Sequence, residues 1–338
     1  MSGLSQDHPD DLIKPTVFCV AITKGCMFQC KMCRLWKENK PHKEHMDVDI
    51  LYWKKFLGSL RNFVGKDLAV HFVGGETLTN DAALPLIRHA SNSGCGTVLA
   101  SNGYLINEDV ARKIADSGLN EVYLSLDSLK EETHDFLRGV TGSCRRVLSA
   151  LDHLDKYAGD VRVNINTVIT GVNLEGLIDL AKWCIGDSRI EFVNFLAVTQ
   201  PFDTKPDDNW HKNNEYDFLW PEDLEKLDKV IDALVKLKEE NPYKILNPVS
   251  QLKSYKSYFR DPWNCDKQKG CHIYKKVFNV SANGQINMCF EMPALGNIKQ
   301  EGFDLEEIWS SSLAGLVRKD ILNCGRTCHF RVNSGVEE

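Results

Sequence analysis

Residues 17–33 read VFCVAITKGCMFQCKMC, and the fold turns on this stretch. Its first seven residues are apolar and partly β-branched, which suits a strand buried on both faces. Three cysteines follow at once, Cys26, Cys30 and Cys33, in the spacing C-x3-C-x2-C. A strand that runs into a loop of thiols sets them at its C-terminal end, where α/β barrels build their active sites. Three thiolates at this spacing suit three irons of a [4Fe–4S] cluster, because thiolate is the ligand iron–sulfur chemistry prefers. The fourth iron then lacks a protein ligand and is an open position for reaction. The competing readings are a zinc site or a chance cluster, but zinc asks for a fourth ligand and none is near in sequence.

Outward from this stretch the pattern alternates to about residue 199. Short apolar runs at 17–23, 68–73, 97–101, 121–126, 161–169 and 190–197 read as parallel strands. Amphipathic stretches lie between them. Trp53, Phe56, Leu57, Leu60, Phe63 and Val64 make one helical stripe, with Gly65 as its stop. Asn80, Asn107 and Asn173 fall at N-cap positions, and Gly94, Gly118 and Gly186 where C-caps belong. Six strand–helix units in series predict an α/β fold, a partial (β/α)6 TIM-like barrel, because the length is short for a closed eightfold one. Residues 1–15 read as an N-terminal tail and 16–200 as the barrel.

The segment 201–262 reads as a linker or lid with helices. Its first part, to Trp220, is polar and aromatic, and 221–240 is helical with Pro221 at the first turn. Residues 263–338 form a small module, a β-hairpin plus a helix. Runs at 278–280 and 285–288 flank Asn283-Gly284, a tight hairpin turn, and 304–323 is helical.

Composition narrows the function. The chain has 338 residues and a formal net charge of −6, without a basic run, which argues against nucleic-acid binding. No apolar stretch approaches the roughly 20 residues that span a bilayer, and the N-terminus has no signal-peptide pattern. A cytoplasmic location is the expectation. There, twelve cysteines point to metal or redox chemistry rather than to disulfides. Cys19, Cys95, Cys144 and Cys184 stand alone and read as small core residues.

These motifs together resemble the radical SAM superfamily, over nearly the whole chain. The resemblance implies that the open iron binds the amino and carboxylate groups of S-adenosyl-L-methionine. One electron then cleaves the cofactor to a 5′-deoxyadenosyl radical, which takes hydrogen from an unactivated C–H bond. The family usually has an aromatic residue before the third cysteine; here Met32 stands there, and a thioether can pack against adenine in its place. Gly74-Gly75-Glu76 matches the segment that holds the methionine amino group. Asn102 and Asp127 end the third and fourth strands and read as cofactor contacts or as turn residues. Ser125 and Arg138 would hold the cofactor's ribose or carboxylate, Arg138 being a sensible carboxylate partner.

Four later cysteines, Cys271, Cys289, Cys324 and Cys328, resemble the SPASM and Twitch extensions of this superfamily. They imply one auxiliary [4Fe–4S] cluster, with a four-thiolate zinc site as the alternative. Cys265 is left over: a plain thiol, a substitute ligand, or a hydrogen donor to a substrate radical. The substrate is a peptide or a small molecule such as a sugar or aminocyclitol. The cofactor motif begins at Cys26, which leaves no room before it for a peptide-recognition domain. A flavodoxin- or ferredoxin-type donor would supply the electron. A non-catalytic iron–sulfur or zinc scaffold is the reading from another class, and the complete cofactor set argues against it.

Overall fold

The computed structural model describes residues 13–38, 48–202, 204–205, 207–262, 271–324 and 332–333. Strands and helices alternate through the first part: β1 (Val17–Thr23), α1 (Ile50–Val64), β2 (Ala69–Gly74), α2 (Ala83–Asn92), β3 (Gly96–Ser101), α3 (Glu108–Asp116), β4 (Glu121–Ser125), α4 (Glu131–Arg138), α5 (Ser143–Tyr157), β5 (Arg162–Ile169), α6 (Leu177–Gly186) and β6 (Ile190–Ala197). Then come α7 (Leu224–Glu240), α8 (Val249–Arg260), β7 (Val277–Val280), β8 (Gln285–Asn287), β9 (Gly296–Asn297), α9 (Leu305–Ser310) and α10 (Ser312–Leu322).

The described strands form one sheet in the order β6-β5-β4-β3-β2-β1-β7-β8-β9. Strands β1 to β6 are parallel neighbours, so each return passes through a helix. Strand β6 is an edge and does not pair with β9, so the barrel is partial, as expected. The C-terminal hairpin is not detached from it. Strand β7 lies parallel to β1 in the register Phe18↔Phe278 and Cys19↔Asn279, which makes one sheet of barrel and hairpin.

Alternation sorts the two faces. Phe18, Val20 and Ile22 face the helices and are buried. The Phe18 ring meets Phe56 and Phe63 of α1 and Phe278 of β7, with centroids 5.9–6.4 Å apart. Cys19 and Ala21 face the inside of the half-barrel. Cys19 is therefore only partly buried, whereas Cys95, Cys144 and Cys184 sit in the core. The reading of Cys19 as a core residue failed because an apolar strand hides which of its faces turns inward.

Several local readings need correcting. Asn107 caps α3, accepting from the Val110 N–H at 2.9 Å. Asn80 acts earlier, accepting from Ala82 N–H ahead of α2. Asn173 does stand at an N-cap position, ahead of the 3-10 turn Leu174–Gly176, but its side chain does not cap it; buried, it donates to the carbonyls of Asp127 and Val168, tying β4 to β5. Gly94 and Gly118 do take positive φ, but Gly186 is the last residue of α6. Helix α7 is capped by Asp223, so Pro221 lies before it. The expected helix over 304–323 is two, because Ser311 caps α10 with its own hydroxyl.

The described part of 201–220 is a wall pinned by a few buried side chains. Trp210, Tyr216 and Leu219 are buried, and Trp220 meets Trp210 and Phe259 edge-to-face, with centroids 5.6 and 4.9 Å away. The wall is stitched to the cysteine loop by a bridge from Cys33 to Phe202 and by Arg34 N–H donating to the Phe202 carbonyl at 3.0 Å. No helix among the described residues is long and apolar enough to cross a membrane.

Candidate active site

The three cysteines sit on the loop leaving β1, at the C-terminal end of the barrel, and each is partly buried. The loop is held from several sides. Glu76 N–H donates to the Gly25 carbonyl at 2.8 Å, and Lys31 N–H to the Leu137 carbonyl at 2.8 Å. Phe28 is buried edge-on against Tyr104 at 5.5 Å. Trp36 donates its indole N–H to the Cys33 carbonyl at 2.8 Å. Phe28 N–H points at the Cys26 sulfur at 3.4 Å, the kind of donor that suits a thiolate.

Burial pushes the Cys26 thiol up to about 12 and also raises Cys30. Such thiols ionise when a metal takes the charge. Three thiols on one short loop are a donor set that fits an iron–sulfur cluster, each thiolate being able to take one iron.

Glu76 is the second component. It is buried to 1% exposure and accepts three hydrogen bonds: from Asn102 N–H at 2.7 Å, Ser101 O–H at 3.0 Å and Leu78 N–H at 3.2 Å. Burial raises its pKa while these donors oppose the rise. Cys26 lies near enough to feel its charge. Ser101 was not singled out from the sequence. It reads as a strand residue, and only folding brings it to Glu76. Asn102 links the pieces: its backbone holds Glu76, its side-chain amide donates to the Met27 sulfur at 3.5 Å, and its carbonyl oxygen accepts from Tyr104 N–H.

The glycines serve close packing of the chain on itself. A Cβ on Gly74, at φ +123°, would lie 2.4 Å from the Thr23 carbonyl oxygen, and one on Gly75 would lie 2.1 Å from that of Gly25. The close approach is thus to the root of the cysteine loop. Met32 is partly buried against the core. Ser125 ends β4 beside Asn166 in register, on the inner face.

Asp127 and Arg138 meet each other. The Arg138 Nε lies 2.7 Å from Asp127 Oδ2, with side chains 11% and 0% exposed. The other Asp127 oxygen accepts from Val168 N–H at 2.9 Å. The Asp127 N–H donates to His134 Nδ1 at 3.2 Å, and burial holds His134 down to about 4. Both Asp127 oxygens are thus engaged within the protein, one in the ion pair with Arg138 and one by Val168 N–H.

The inner face of the sheet was not read from the sequence, although the alternation Asn164-Ile165-Asn166 signals it. Asn194 donates to Asn166 at 3.0 Å, and Tyr123 meets Phe192. Asn279, Cys19 and His71 are register neighbours across β7, β1 and β2. Both amide atoms of Asn279 are buried without a partner, and burial lowers His71 toward the neutral form.

In the C-terminal region Cys271 precedes β7, Cys289 follows β8 and is buried, and Cys324 follows α10. Cys328 and Cys265 lie outside the described residues, so the fourth auxiliary ligand and the hydrogen-donor reading of Cys265 do too.

An open, parallel α/β half-barrel with three thiols on the loop after its first strand, beside a buried carboxylate after its second, is the architecture of radical SAM enzymes. Residues 20–184 match the Radical SAM superfamily, so this chain carries a radical SAM domain. Over 299 residues it is 24% identical to the AdoMet-dependent heme synthase of Methanosarcina barkeri, across 88% of this chain and 83% of that one. It is 29% identical over 182 residues to the PqqA peptide cyclase of Bradyrhizobium diazoefficiens, across 53% of this chain and 46% of that one. Its fold is similar to that of native anSMEcpe with bound AdoMet and Cp18Cys peptide, at TM-score 0.64 and 20% identity, over 95% of this chain and 88% of that one.

Proposed function

We propose that this chain holds a [4Fe–4S] cluster on Cys26, Cys30 and Cys33 and, with S-adenosyl-L-methionine, takes hydrogen from an unactivated C–H bond of a peptide or related natural product. When bound, the cluster and cofactor supply a 5′-deoxyadenosyl radical by reductive cleavage. The outcome is a modification, cross-link or epimerisation, in the manner of an oxidoreductase or epimerase. The observation that carries this reading is the pairing of the three thiols with buried Glu76, which lies near enough to Cys26 for the two charges to interact and whose carboxylate is a residue type that can accept from an ammonium group. Ser125 and Arg138 stand on the same side as candidate holders of the cofactor's polar groups, and Met32 as an apolar surface for its base.

A peptide is the favoured substrate class. The peptide-cyclase relative and the peptide-bound fold neighbour support the same reading. A small-molecule substrate is the second reading, supported by the heme-synthase match over 88% of the chain. Cys271, Cys289, Cys324 and Cys328 would hold one auxiliary [4Fe–4S] cluster, and a flavodoxin- or ferredoxin-type protein in the cytoplasm would deliver the electron.

Anaerobic reconstitution tests this. About eight irons per chain are expected with the auxiliary cluster and about four without it. The reduced protein should convert S-adenosylmethionine to 5′-deoxyadenosine. Replacing Cys26, Cys30 or Cys33 by alanine should abolish that conversion, while Cys289→Ala should keep uncoupled cleavage and lose product. Iron-loaded, reduced protein that yields no 5′-deoxyadenosine would overturn the proposal. Short peptides encoded beside the gene are the first substrates to try, with mass change as the readout.

A further inference from the structure

The C-terminal end of α4 grips the middle cysteine of the loop. Leu137 accepts the Lys31 N–H at 2.8 Å. Gly139, at φ +69°, packs so closely that a Cβ there would lie 2.2 Å from the Gln29 carbonyl oxygen. Between these contacts Arg138 turns inward. Its guanidinium lies beside the Cys30 sulfur and against Asp127. The Nε–H is not aligned on the Asp127 oxygen despite the 2.7 Å contact. Asp127 is fixed in turn by Val168, His134 and Asn173. A buried cation and its countercharge thus stand at one ligand of the loop.

We propose that Arg138 and Asp127 are positioning residues that set the reduction potential of the cluster through Cys30. The proposal rests on the cluster assignment above. Reduction adds negative charge in a poorly solvated place, where a nearby cation favours the reduced form and a nearby anion opposes it. The two residues therefore pull in opposite directions, and the sign of each effect is the test.

The experiment is a redox titration, followed by electron paramagnetic resonance, of the anaerobically reconstituted full chain without S-adenosylmethionine. The signal in question is the one that Cys26→Ala removes. Arg138→Gln should shift its midpoint to more negative potential and Asp127→Asn to more positive potential. Arg138→Lys should fall between wild type and Arg138→Gln. If Arg138→Gln does not fold, Asp127→Asn alone must still give the positive shift. Unmoved midpoints, or shifts of the same sign in both variants, overturn the proposal. Weakened binding of S-adenosylmethionine with an unmoved midpoint overturns it as well, and assigns Arg138 to the cofactor's carboxylate. A wild-type chain that takes up no iron refutes the cluster assignment itself.

Discussion

Glu76 shows how one side chain is committed before any cofactor arrives. Its carboxylate takes three donors from Leu78, Ser101 and Asn102 in a site closed to water. Glu76→Gln sets an amide N–H₂ against one or more of those donors. Leaving a buried polar group unsatisfied costs about 1–3 kcal/mol, so denaturant titration should show a loss of that order, together with weaker binding of S-adenosylmethionine. His134 carries a pH prediction. Burial lowers its folded pKa from 6.5 to about 4, so the unfolded chain binds the extra proton first as pH falls. The stability it contributes is complete above pH 6.5 and is lost as pH drops toward 4. His134→Gln should flatten that acid loss in urea titrations at stepped pH. Glu76 was legible in the sequence as part of Gly74-Gly75-Glu76. Its partner Ser101 was not, because 25 residues and a helix separate them.

Among the elements, α4 and the cysteine loop depend on one another, and two glycines with the same φ separate this from ordinary helix capping. Gly65 ends α1 and Gly139 ends α4, both at φ +69°. A Cβ on Gly65 would meet nothing within 4 Å, whereas one on Gly139 would strike the Gln29 backbone. Gly65→Ala should therefore cost only the strain of a left-handed alanine, about 1–2 kcal/mol, with full iron uptake. Gly139→Ala should in addition displace the loop and lower iron content after reconstitution. Equal iron content in the two variants would show that α4 does not brace the loop. Strands β1 to β8 were legible to within a residue or two, since their apolar runs are set by chain chemistry, whereas the two-residue β9 has no such run and was not read. The caps were less so: Asn173 has the right type and place for a cap, yet the buried gap between β4 and β5 claims its amide.

For the whole molecule, the hairpin's place in the barrel sheet matters most. Phe278 is fully buried between Phe18 of β1 and Trp309 of α9. Phe278→Ala should cost about 3–5 kcal/mol. The loss should appear as one shifted transition for barrel and hairpin together, whether followed by far-ultraviolet circular dichroism or tryptophan fluorescence. Two separated transitions would mean that the hairpin folds apart from the barrel. By itself the sequence determined the alternating strands and helices and the thiol loop after the first strand, the features that carry its resemblance to the radical SAM superfamily. These are local facts of spacing and periodicity, carried by neighbours along the chain. Only the tertiary structure decided that Arg138 turns to Asp127 and Cys30, that Ser101 serves Glu76, that the segment after β6 is a wall, and that β7 lies against β1. Each of these joins residues far apart in the chain, and each is settled by which buried charge, amide or ring finds a partner once water has been excluded.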